Sequence, residues 1–173
     1  KEINYHNNER KNIDREITKE AVEIVKKEHD FDKLNSTVVY NEGWHKGVVG
    51  IVASRLVEAF YRPTIVLTKS SNGFVTGSAR SIPGFDLYEA IESCSDLLEN
   101  FGGHVYAAGL TLKEENLPEF KRRFEEVVTK KITKEILTPI INADSFLEFR
   151  QITPKFFRLL NQFQPFGPGN LSP

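Results

Sequence analysis

Glycine placement constrains this chain more than any other feature. Nine of the eleven glycines lie within residues 41–110, and none occurs in 1–40 or 111–166. Glycine weakens helices and permits positive φ and close backbone approach. The middle of the chain is therefore a bent segment, set between two arms free to run as helix. The arms also hold most of the charge. Only five of the 23 Lys and Arg residues fall in 41–110: Lys46, Arg55, Arg62, Lys69 and Arg80. Binding chemistry is expected in this glycine-bent, charge-poor middle.

The apolar pattern divides the chain into alternating elements. Residues 8–29 read as an amphipathic helix, with Ile13, Ile17, Ala21 and Ile24 at helical spacing and Val25 beside them. Thr37 to Tyr40 is β-branched and aromatic, hence a strand. Gly47 to Phe60 is apolar over most of its circumference and reads as a buried helix. Thr64 to Thr68 is a second strand. Ser70 to Gly73 turns the chain, and Phe74 to Ala79 returns as a hairpin. Asp86 with Glu89 resembles a capping box ahead of Leu87, Ala90 and Ile91. A short helix is expected around Leu97 and Leu98, broken at Gly102-Gly103. A strand is expected over 108–112, a helix over 117–132, a strand within 139–149, and a helix after the Thr153-Pro154 cap pair. The fold class expected is α/β, a mixed β-sheet flanked by helices and preceded by a long helix.

Composition removes several functions. With 39% hydrophobic residues and one cysteine, the chain is neither disordered nor built on disulfides. No run of about 18 apolar residues is present, and no signal-peptide pattern opens the chain, so a cytoplasmic location and no membrane partner are expected. A net charge of −1 argues against a broad polyanion-binding surface, so any nucleic-acid site is local. Cys94 reads as a core thiol. The histidines at 6, 29, 45 and 104 make no zinc pattern, and Asp86, Asp96 and Asp144 are too scattered for a metal pair. The chain contains no methionine, begins at Lys1 and stops after a turn-rich run, as expected of a piece of a longer protein.

Three constellations carry candidate chemistry. Gly43-Trp44-His45-Lys46-Gly47 joins a strand to a helix, where free N–H groups and the helix dipole favour an anion. Trp44 there either stacks on a base or plugs the core. Gly77-Ser78-Ala79-Arg80-Ser81 ends a strand, so Ser78 and Arg80 share a face, a hydroxyl beside a guanidinium that suits a phosphate. The plainer alternative is a solvated surface arginine. Phe101-Gly102-Gly103-His104, followed by Ala107-Ala108-Gly109, offers close backbone approach and a donor imidazole. Its alternative is a helix C-cap with a chance histidine.

Together these runs resemble the RecJ-type single-stranded-DNA-specific exonucleases. Glu42 to Leu56 and Gly77 to Leu87 resemble two family signatures, and Gly102-Gly103-His104 with Ala107-Ala108-Gly109 resembles the motif of the DHH-associated domain. Asn8-Glu9-Arg10-Lys11 resembles the start of the family's connecting helix. Pro165 to Asn170 resembles the run leading into its OB-type nucleic-acid domain.

The resemblance implies a connecting helix over 1–34, a substrate-binding domain over 35–150, and the start of a linker over 151–173. It implies a nucleic-acid-contacting set of Trp44, His45, Lys46, Ser78, Arg80, Ser81, Gly102, Gly103 and His104, with His104 as an accessory to the reaction. No metal ligand, catalytic residue or small-molecule cofactor is implied within the chain. Mn²⁺ or Mg²⁺ would sit in a separate catalytic domain, and the intact enzyme would degrade single-stranded DNA 5′→3′ in repair and recombination. The chain alone would be inactive. Gly-Gly-His is shared more widely, so a short-oligonucleotide or nucleotide phosphoesterase and a non-catalytic RNA-binding module stand as alternatives.

Overall fold

The computed structural model describes residues 2–28, 33–141, 143–167 and 170–172, with side chains of the first helix described from residue 9 to 27. His29, Pro168 and Gly169, which the sequence reading uses, and the side chain of His6 lie outside the described residues. The chain divides into two compact units, Lys1–Pro139 and Ile140–Pro173.

The first unit holds one mixed sheet. Its strands are β1 (Thr37–Tyr40), β2 (Thr64–Lys69), β3 (Phe74–Arg80), β4 (Leu98–His104) and β5 (Ala107–Lys113), in the order β1-β2-β3-β5-β4. β1 and β2 are parallel and every other pair is antiparallel. The parallel pair requires a crossover, which α2 (Val49–Phe60) supplies. α1 (Glu2–Glu28) precedes the sheet, α3 (Leu87–Glu92) follows β3, and α4 (Leu117–Lys131) follows β5.

Alternation along the strands sends side chains to two cores. Ile65, Leu67, Val75, Ala79, Ala108, Leu110 and Leu112 point one way, against Ile91 of α3 and Phe120 and Phe124 of α4. The last two rings stack with centroids 5.9 Å apart. Val39 and Val66 point the other way, into a smaller core with α2, α1 and Trp44. Cys94 is a buried free thiol in the larger core, pushed up in pKa by that burial. Asp86 caps α3 by accepting the Glu89 N–H at 2.9 Å.

Four expectations need correction. The stripe of α1 that packs inward is Asp14, Ile17, Ala21 and Val25, while Ile13 is exposed. Only Val49, Val52, Ala53 and Leu56 of α2 are buried, and Arg55, Glu58 and Ala59 leave one flank open. Leu97 ends a single 3-10 turn (Ser95–Leu97), and Leu98 begins β4, because a strand bulged between Leu98 and Asn100 brings both Leu98 and Phe101 to the larger core. No strand forms among the described residues of 139–149: Ile140, Ile141, Phe146 and Phe149 are strongly exposed, and the run has no strand to pair with.

The second unit contains a 3-10 turn (Phe149–Gln151) and α5 (Pro154–Asn161), whose Thr153 cap accepts the Phe156 N–H at 3.2 Å. Phe157, Leu159 and Phe163 are exposed. No described helix is long and apolar enough to cross a membrane.

Gly77 sits where β3 lies close against β2. A Cβ there would lie 2.1 Å from the Val66 carbonyl oxygen and 3.0 Å from Leu67 Cα. Backbone cannot yield as a flexible side chain can. Gly77→Ala is expected to destabilise the chain by about 3 kcal/mol or more, read as a lower urea midpoint. A midpoint equal to the parent's would contradict this packing.

Candidate nucleic-acid interface

The register of β3, β5 and β4 builds the site. Residues directly opposed on antiparallel strands share a face. Ser78 pairs Gly109, which pairs Gly102; Arg80 pairs Ala107, which pairs His104. Both rows lie on the face that α2 covers at β2 and β3 and leaves bare at β5 and β4. Gly102, His104 and Gly109 are exposed and Ala107 is half-buried. The result is a floor of glycine and alanine, with Ser78 and Arg80 on one side and His104 on the other. Two strand spacings, about 10 Å, separate the Arg80 and His104 backbones. Of the three small residues that follow, only Ala108 packs into the core; Ala107 and Gly109 face the open side.

The two adjacent glycines serve different ends. At Gly103 φ is +152°, and a Cβ would lie 2.3 Å from the Ala107 carbonyl oxygen and 2.5 Å from Ala108 Cα. Close strand packing requires it. Gly102 has nothing within 4 Å of a Cβ position, so its missing side chain only keeps the floor clear. Both lie on a strand, which removes the helix C-cap alternative.

The turn that carries His104 is tied to the end of β3. Ser81 N–H donates to the Tyr106 carbonyl at 3.0 Å, and Leu87 N–H donates to the Val105 carbonyl at 3.1 Å. The Ser81 hydroxyl donates to the Phe85 carbonyl at 2.8 Å, so Ser81 holds the loop rather than offering a free donor. Ser78 Oγ has no protein partner among the described residues. Arg80 Nη1 donates to its neighbour's carbonyl, Ala79 O, at 2.8 Å, and Nη2 lies 3.0 Å from where a Gly50 side chain would begin. Gly50 is thus absorbed by Arg80, a partner that sequence reading missed. The available signal was a glycine inside a helix, which costs about 0.5–1 kcal/mol against alanine.

The strand–helix junction is placed differently. Trp44 is 4% exposed, and its indole N–H donates to Glu20 Oε2 at 2.9 Å. Its carbonyl accepts the Thr68 hydroxyl at 2.7 Å. Of the two roles open to it, packing into the core is the one this burial shows. His45 lines a groove of about 430 Å³ with Glu16, Ile17 and Glu20 of α1, apart from Arg80. Lys46 Nζ donates to Ser70 Oγ at 2.8 Å. The junction leaves α2 with no side-chain cap and no acid in its first turn, so the positive end of its dipole is unopposed there.

Both histidines have a set tautomer. His45 Nδ1 accepts the Gly47 N–H at 3.1 Å, and His104 Nδ1 accepts the Tyr106 N–H at 3.3 Å. In the neutral ring the proton is therefore on Nε2. The rows thus present a forked guanidinium, a hydroxyl and an imidazole N–H around bare backbone, a donor set matched to phosphodiester oxygens. Among the described residues no group of three His, Cys, Asp or Glu converges that could hold a metal ion, so these residues do not fit a metal centre.

Comparison with known proteins identifies the family. A family model of the DHHA1 domain matches residues 33–130. The chain belongs to the DHHA1 domain family. Among curated relatives, the single-stranded-DNA-specific exonuclease RecJ of Bacillus subtilis is 42% identical over 173 residues, covering 99% of this chain and 22% of the relative. The RecJ of Escherichia coli is 36% identical over 172 residues, covering 96% and 30%. A crystal structure of Thermus thermophilus RecJ in complex with Mg²⁺ superposes with a TM-score of 0.82 at 29% identity, covering 99% of this chain and 26% of that one. A Mn²⁺ complex of the same protein matches similarly. The chain spans between 20% and 30% of the length of the curated relatives it matches.

Gly102 and Gly103 are expected to separate in experiment. Gly102→Ala is expected to leave the melting temperature within about 2 °C, and Gly103→Ala to lower it by more than about 8 °C. Equal effects would contradict the strand geometry. Trp44 is the only tryptophan, so its fluorescence is specific. Blue-shifted emission, resistant to acrylamide and unquenched by a short single strand, is expected; strong quenching by DNA would place the ring at the surface.

Proposed function

We propose that this chain is the substrate-gripping part of a RecJ-type single-stranded-DNA exonuclease, and that the bare face of β3-β5-β4 holds the phosphate backbone. The observation that carries this is the row Arg80–Ala107–His104 beside the row Ser78–Gly109–Gly102: charged and polar donors flank a floor without side chains. The DHHA1 match and the RecJ relatives support it over a short-oligonucleotide phosphoesterase or an RNA-binding module.

In this reading Ser78, Arg80 and His104 contact phosphate oxygens over Gly102. Gly103 and Ser81 set the backbone that aims them, His45 and Lys46 flank the entry, and Trp44 anchors the junction. Hydrolysis builds negative charge on the reacting phosphate, and fixed donors stabilise it. The metals belong to a catalytic DHH domain joined through α1, and an OB-type domain follows the second unit. Without those metals this chain alone does not cleave DNA. A net charge of −1 is consistent with a grip of few phosphates, the other domains supplying the rest.

The test is fluorescence anisotropy of a labelled short single strand titrated with the chain at several salt concentrations. Binding with a log–log salt slope of about −0.7 per phosphate contacted is expected, with the slope in Arg80→Ala shallower by about 0.7. Arg80→Ala should cost about 1 kcal/mol of stability or less, since its hydrogen bond is to a neighbouring carbonyl. A folded Arg80→Ala with the parent's slope would overturn the proposed grip.

A further inference from the structure

We propose that Arg55 is a second phosphate-contacting arginine, held in place by the buried Asp14 of α1; this rests on the phosphate-grip reading above. An open groove of about 480 Å³ runs between α2 and the end of β3, lined by Gly50, Ile51, Ser54, Arg55, Glu58 and Arg80. Two guanidinium groups therefore reach one groove, and one of them belongs to the bare-face row. Arg80 is brought into it by the missing side chain at Gly50.

Arg55 is only partly committed to the protein. Its Nη2 donates to Asp14 Oδ2 at 2.7 Å, and 45% of its side chain remains accessible. An arginine has five N–H donors in a fixed fork, so holding one nitrogen orients the rest without using them. Glu58 is the one acid lining the groove, and two guanidinium groups outweigh it. A phosphodiester passing from the Arg80 row along α2 would meet Arg55 next.

Asp14 sits where the α1 stripe calls for an apolar residue. It is 4% exposed, in line with Ile17, Ala21 and Val25. Its other oxygen, Oδ1, accepts the Thr18 hydroxyl at 3.3 Å. Burying an ion pair is weak stabilisation, and apolar replacements of similar volume are often neutral or better. The pair therefore reads as a positioning device: α1, the helix that leads out of this domain, sets the angle of one phosphate-binding arginine.

The same anisotropy titration tests this with a labelled oligothymidylate and the full chain. Arg55→Gln keeps an amide donor for Asp14 and removes the charge; a slope shallower by about 0.7 is expected, with the melting temperature little changed. Asp14→Asn should weaken binding severalfold in the parent and have no further effect in Arg55→Gln, because it acts through Arg55. Should Arg55→Gln unfold at the assay temperature, the pair Asp14→Leu with Arg55→Met removes both charges together and should give the same change of slope. A folded Arg55 variant with the parent's slope overturns the inference. If Arg80→Ala still flattens the slope in that case, the phosphate grip stands without Arg55. If neither arginine matters, or no strand binds at low salt, both fall.

Discussion

One helix cannot cover five strands. A helix with its side chains is about 10–12 Å wide, and strands lie about 4.8 Å apart, so α2 shields two or three of them. It lies over β2 and β3, and α1 packs beside it and against β1, with Trp44, Ile17 and Val25 in a small second core. β5 and β4 are left bare on that face. A bare sheet face facing water would normally carry large polar side chains. Between Arg80 and His104 it carries Ala107, Gly109 and Gly102, which neither bury area nor shield the backbone. The site exists because coverage stops at β3 and nothing replaces it.

That open face is kept rigid from the opposite side. Beneath it, Ala79, Ala108, Leu110 and Leu112 pack into the larger core with Phe120 and Phe124. The β4–β5 turn is held at both residues by backbone bonds from Ser81 and Leu87. The loop between those two residues is closed in turn by the Ser81 hydroxyl. Arg80 and His104 are therefore placed by the same few hydrogen bonds, and neither depends on the other's side chain for position. Preorganised donors of this kind lose little ordering entropy when an anion arrives.

Much of this was legible in the residues, for physical reasons. Helical spacing gave α4 almost to its ends, since four large apolar residues on one stripe leave no other solution. The strand period placed Ser78 and Arg80 on one face. The expected helix at Leu97-Leu98 failed because two leucines and a glycine pair fit either a helix end or a strand over a core. Deciding between them needs the partner strand, and β5 is that partner. The same ambiguity made Gly102-Gly103 resemble a cap. Trp44 was open between two roles because an indole serves equally as a stacking platform and as core; only the nearby Glu20 and Thr68 decide. Asp14 was passed over because a carboxylate on an apolar stripe reads as a boundary until its arginine is found.

The sequence by itself determined the α/β alternation, the helices of both arms of the first unit, the strand pair around β3 and the resemblance to a family. Those depend on period, capping and backbone freedom, which are local. Tertiary structure alone decided that Arg80 and His104 share a face across an empty strand, that Arg55 leans into the same groove, and that Trp44 turns inward. Each of these joins residues dozens of positions apart, and their spacing is fixed by register and packing, quantities that no local pattern contains.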